Sequence, residues 1–186
     1  MKIGSLAALA SGIALLGALE LPAAAAGSLS YDDPGMHFKA PDGWQRIDIP
    51  NGDAADQDHK PPAAVFVFHP SRIDQRTIVV DIQSGSDSLE AFERGHESDL
   101  HQGGDSSDAH VDKKTQVTLS NGMPAYLLRI TVGDGLNAVR RYEYLVFDGM
   151  RNIDVSYSGH QGEFEEKDAV DALSSLYVVA YPRNRS

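Results

Sequence analysis

The run His96-Glu97-Ser98-Asp99-Leu100-His101 is the first place in the sequence where residue type and spacing could do chemistry. Imidazole and carboxylate groups are ordinary zinc ligands, and two histidines four apart on a helix share the face that a catalytic zinc needs. Here the histidines stand five apart, which turns them about 140° away from each other on a helix and excludes that arrangement. A looser metal site could still draw on His96, His101, Asp105, Asp108 and His110, whose nitrogen and oxygen donors suit zinc, copper or nickel. The plainer alternative is that His96 completes the apolar stripe of a helix while the other residues are solvated. No resident cofactor is expected.

A second group is charged. Arg129, Arg141 and Glu143 sit in strand-like segments at positions that alternate with apolar residues, and Asp81 and Asp154 could join them. Arginine forks bind anionic ligands well, so this patch is a candidate ligand site. The competing reading is a cross-strand ladder of opposite charges on a sheet face. For nucleophilic catalysis the chain lacks a Gly-x-Ser-x-Gly elbow, and it has no glycine-rich phosphate cradle. Ser156-Tyr157-Ser158-Gly159-His160 reads as a strand end, and Trp44 as a core anchor. With no cysteine anywhere, thiol nucleophiles, thiolate metal sites and disulfides are all excluded. The missing catalytic motifs point away from an enzyme.

These side chains need elements to position them, and turn residues mark where the elements end. Met36 to Lys39 alternates apolar and polar before the Pro41-Asp42-Gly43 turn, which leads into Trp44. Residues 50–62 read as a loop, and Ala64 to His69 and Arg76 to Gln83 as strands. Over 88–102 the apolar residues Leu89, Phe92, His96 and Leu100 recur at helical intervals, with Ser86 or Asp87 as the cap and Gly103 as the stop. Gly103 to Asp108 reads as an exposed connection. From Val111 to Ser158, hairpin signals at Asn121-Gly122, Gly133-Asp134-Gly135 and Asp148-Gly149 require a four-stranded antiparallel meander. Tyr126, Leu128, Ile130 and Val132 share one face of its second strand, and Tyr142, Tyr144 and Val146 one face of its third; both sets are expected to face the core. A second helix is expected over 162–176, with Ala169, Val170, Leu173 and Leu176 as its stripe, followed by an apolar tail, Tyr177 to Tyr181, able to add an edge strand. The fold class that follows is α+β, an antiparallel sheet of about six strands with two main helices packed on it.

The first 26 residues read as a cleavable signal peptide. Lys2 supplies the positive start, Leu6 to Leu19 the apolar stretch, and Ala24-x-Ala26 the cleavage motif before Gly27. Removal leaves about 160 residues, enough for one domain over 27–186 with a proper core. Net charge is −11 over 186 residues, and the leader carries only Lys2 and Glu20, so the mature domain keeps it. Such a balance repels phosphate backbones and anionic lipid heads, so neither nucleic acid nor a membrane surface is an expected partner. The acid is spread along the chain, as solubility requires. Destination is periplasm or medium, with no membrane insertion after cleavage and no cysteine to carry a lipid.

Phe38-Lys39-Ala40-Pro41-Asp42-Gly43-Trp44, Gly122-Met123-Pro124-Ala125-Tyr126 and Val146-Phe147-Asp148-Gly149 leading to Val155-Ser156-Tyr157 resemble the PsbP-like superfamily, which includes small bacterial envelope proteins of the DcrB-related kind. A final acidic helix ending near Ser174-Ser175-Leu176 completes the likeness, which spans most of the mature chain. The resemblance implies an antiparallel sheet with helices on its faces. It also implies an accessory or binding role in the envelope, with an envelope protein as partner, although fold alone is only an associational guide to function. Metal binding through the histidine-rich 96–110 region is the alternative.

Overall fold

Chain reversals at short turns set the architecture. The computed structural model describes residues 30–47, 62–68, 76–102 and 108–181. The leader over 1–26, most of the expected 50–62 loop, and Asp105 lie outside them. In chain order the elements are β1 (Ser30–Asp33), β2 (Met36–Lys39), β3 (Trp44–Ile47), β4 (Ala64–Phe68), β5 (Thr77–Ser84), α1 (Leu89–Gln102), β6 (Ala109–Thr118), β7 (Pro124–Val132), β8 (Val139–Phe147), β9 (Arg151–His160), α2 (Glu166–Leu173) and β10 (Tyr177–Val178). This is an α+β fold, and the strand pairs are antiparallel. None of its helices, among the described residues, is long and apolar enough to cross a membrane.

The main sheet has seven strands in the order β3-β4-β5-β9-β8-β7-β6, and its last four are the meander. Asn121-Gly122 and Asp148-Gly149 make the reversals as their types demand, with φ of +89° at Gly122 and +101° at Gly149, values that side chains bearing a Cβ rarely adopt. A sheet of about six strands is therefore an undercount. A separate three-stranded sheet, β1-β2-β10, packs beside the main one. Its β1 strand ends in two aspartates, poor strand formers, and Pro34-Gly35 folds it back onto β2.

The main sheet is covered on both faces. Cross-strand partners share a face, and Tyr142 lies opposite Tyr157 and Arg129, while Glu143 lies opposite Ser156 and Leu128. On the first face Phe66, Ile78, Val80, Tyr142, Val146, Ile153, Val155 and Tyr157 pack against Ala169, Ala172 and Leu173 of α2 and against Met36, Phe38 and Val178 of the small sheet. On the second, Leu128, Ile130 and Leu145 pack against Phe92 of α1, with Tyr126 and Val132 alongside. The two apolar sets expected to face one core thus face two, one on each side. Trp44 is buried among Phe68 and Tyr157.

The helices are shorter than their sequence patterns or capped differently. Ser88, not Ser86 or Asp87, caps α1, its Oγ accepting from Ala91 N at 3.1 Å. Ser86 instead exchanges two hydrogen bonds with Asn152, tying the approach to α1 onto β9. α2 starts four residues later than 162 because the chain first turns at His160, whose carbonyl accepts from both Glu163 N and Phe164 N. Its buried residues are Ala169, Ala172 and Leu173, and Val170 is exposed.

Candidate functional site

α1 runs over β6 and β8 with Phe92 and His96 on its inner side. Lys114 of β6 holds it from one edge, its Nζ 2.5 Å from Glu93 Oε1 and 3.2 Å from Glu97 Oε2. Strand alternation puts Arg141, Glu143 and Leu145 of β8 beneath the helix, and the register brings Asp154 of β9 opposite Leu145 and Asp81 of β5 opposite Asp154. The result is a polar cluster at the margin of an apolar interface.

At its centre His96 Nε2 donates to Glu143 Oε2 at 2.7 Å, and Arg141 Nη1 donates to Glu143 Oε1 at 3.1 Å. His96 is 5% exposed and Glu143 1%. Asp154 Oδ1 and Arg141 Nε are buried with no hydrogen-bond partner among the described residues. Asp81, the cross-strand partner of Asp154, accepts at 2.7 Å from Gln83 Nε2. His96, Glu143 and Asp154 each place a potential ligand atom within 4.8 Å of the others.

The electrostatics follow from this crowding. Burial alone would push His96 down, but the charge and hydrogen bond of Glu143, with help from Asp154, more than reverse that and raise it to about 9. Burial would likewise raise Glu143, yet His96 first and Arg141 second lower it to about 2. Asp154 is raised well above the ordinary carboxyl range, first by burial and then by the Glu143 charge, with Asp81 adding to the rise against His96. His96 and Glu143 are thus held as a charged pair, and Asp154 resists ionisation beside them.

The candidate residues of the sequence divide between places. Of the 96–110 histidines only His96 enters the cluster. His101 is exposed at the end of α1, and His110 is exposed on β6, 3.9 Å from Asp112 Oδ1. The five-residue spacing that excludes a zinc-protease helix also turns His101 away from the sheet. Arg141 and Glu143 share a face with Asp81 and Asp154, but Arg129 does not. It points to the first face, over the Tyr142 ring at 5.0 Å and paired with Glu166 of α2. A single patch of Arg129, Arg141 and Glu143 is thus corrected: one sheet separates its members. The signal for the buried cluster lay in Leu145 and Leu128, apolar residues on the same face as Glu143.

No family model matches the chain, and no curated protein matches it in sequence. Among solved structures it is similar to a Bacteroides thetaiotaomicron protein, with 12% identity and a TM-score of 0.51, over 81% of this chain and 48% of that one. This chain therefore spans about half the length of that protein. It is also similar to PA94 of Pseudomonas aeruginosa, a protein of unknown function described as a putative regulator, with 10% identity and a TM-score of 0.47, over 79% of this chain and 94% of that one. A further likeness is to LpqN of Mycobacterium tuberculosis, involved in cell envelope biogenesis, with 14% identity and a TM-score of 0.47, over 79% of this chain and 87% of that one. At 12% identity, the likeness to the Bacteroides structure is one of α+β fold alone.

Proposed function

We propose that this chain is a PsbP-like accessory domain of the cell envelope, exported and freed of its leader, which holds another envelope protein and catalyses no reaction. The observation that carries this reading is an apolar strip at the end of the described chain. Tyr177, Val179 and Tyr181 alternate along an extended run and stay 45%, 45% and 42% exposed. Val179 N donates to Gly35 O and Tyr181 N to Asp148 O, which fastens the run against the hairpin carrying Met150, itself 51% exposed. Aromatic and methionine side chains left in water on a rigid support are the usual makings of a protein-binding surface. The leader motif and the acidic balance favour a protein partner outside the cytoplasm over nucleic acid or lipid. Non-catalytic action is favoured because buried His96 spends its Nε2 on a carboxylate rather than on a hydroxyl nucleophile.

A photoreactive residue at Val179, compared with one at exposed Arg94 on α1, tests the reading in intact cells. Crosslinking from position 179 should give one dominant protein adduct that position 94 does not give. Equal adducts from both positions, or none from 179, would overturn it.

A further inference from the structure

We propose that His96, Glu143 and Asp154 form a binding site for one divalent transition-metal ion of the zinc type. This goes beyond the partner-binding reading and depends on different residues. The ligand atoms already converge: a His96 ring nitrogen, a Glu143 oxygen and an Asp154 oxygen lie within 4.8 Å of one another. Ligands about 2.0–2.2 Å from a tetrahedral zinc are spaced a little over 3 Å apart, so small side-chain rotations suffice. An independent observation marks Asp154 as incomplete, since its Oδ1 is buried without a hydrogen-bond partner among the described residues. Leaving such an acceptor unpaired is costly, and a cation is the partner that would satisfy it.

Charge and support point the same way. Asp81, Glu143 and Asp154 set three carboxylates against one obligate cation, Arg141, within a single layer of side chains. In the state that would bind a metal, with His96 neutral and all three carboxylates ionised, the group has a formal charge of −2, which one divalent ion cancels. Arg141 bonds Glu143 Oε1 and leaves Oε2 facing His96, so the guanidinium can orient the carboxylate while Oε2 turns to the metal. One nitrogen and two oxygens suit zinc, cobalt or manganese better than a soft-ligand metal such as copper(I). Three protein ligands also leave a fourth position for water or a partner's side chain. Asp154, the member with residual exposure, puts the way in on the β9 side.

The test uses the mature chain stripped with EDTA, with zinc, cobalt or magnesium added alone. Calorimetry should find one zinc per chain, and Tm should rise by roughly 5–10 °C at hundred-fold excess over Kd. Cobalt should show visible bands of a site with imidazole ligation, and magnesium should have no effect. Asp154→Asn, which removes a ligand but keeps the shape, should leave the metal-free Tm unchanged or higher. Its zinc affinity should fall by more than the roughly 10–100-fold typical of losing an outer partner. His101→Ala with His110→Ala should bind as the parent does. The proposal is overturned if zinc neither binds nor raises Tm. It is equally overturned if Asp154→Asn binds zinc undiminished, or if the exposed-histidine variant loses it.

Discussion

Glu143 is the residue on which the interior of the α1 face turns. Both its oxygens are engaged, one by His96 and one by Arg141. A buried ion pair of this kind adds little net stability, but breaking it leaves an uncompensated charge in the interior. In the metal-free protein this gives stability a definite pH dependence. His96 is raised in the folded state to about 9, so its contribution is fully present below its unfolded value near 6.5 and is lost as pH rises through 9. Raised Asp154 weakens the fold in the same direction, and lowered Glu143 does so only in acid, as pH falls from 4.5 towards about 2. Urea midpoints measured in EDTA should therefore decline from pH 6.5 to pH 9.5, and His96→Gln should flatten that decline. An unchanged slope in the variant would sink this account. Sequence alternation placed Glu143 and Arg141 on one face but could not say that a helix covers that face. His96 lies 47 residues away from Glu143 along the chain, beyond any local pattern.

Elements fit together here through backbone contacts that leave no room for a side chain. Gly85 follows β5, and its N–H donates to Met150 O at 2.9 Å; a Cβ at that position would come 2.1 Å from the same oxygen. Gly85→Ala should therefore cost about 1–3 kcal/mol or more, because a backbone carbonyl cannot step aside as a flexible side chain could. Gly95 sits exposed inside α1, and an added Cβ meets nothing within 4 Å. There Ala should stabilise by about 0.5–1 kcal/mol through helix propensity and a less flexible unfolded chain. Chemical denaturation of the two variants should give changes of opposite sign, and a loss in both would refute the assignment of α1. The meander and the existence of both helices were legible because Asn-Gly and Asp-Gly turns and three-four spacing are local signals. The α1 cap was misplaced by one or two residues because Ser86, Asp87 and Ser88 are all good caps. The choice fell to Asn152, a strand residue that takes Ser86 for itself.

At the scale of the molecule, Arg151 joins the two sheets. Its Nε donates to Asp148 Oδ2 at 2.8 Å, Nη1 to Asp33 Oδ2 at 2.6 Å and Nη2 to Pro34 O at 2.8 Å. Asp148 is fully enclosed and also accepts from Met150 N and Arg151 N. Asp148→Ala should lower unfolding free energy by about 3–5 kcal/mol, since it leaves Arg151 Nε and two turn amides without their enclosed acceptor while Asp33 alone still pairs the guanidinium. Urea unfolding with an unchanged m value would report it, and a loss below about 1 kcal/mol would mean that the sheets do not depend on this joint. The same joint supports the exposed Tyr177–Val179–Tyr181 strip, so surface and stability are coupled at this corner.

By itself the sequence determined the class of fold, the order of its central strands, the absence of any thiol or disulfide chemistry and the sign of the whole surface. Those properties depend on composition, on period-two and period-3.6 patterns, and on turns whose residues act over four positions. Only the tertiary structure decided that both faces of the sheet are interior, which separated Arg129 from Arg141 and joined His96 to Glu143 and Asp154. A strand's alternation says which residues share a side, but what covers each side depends on elements that pack from far along the chain.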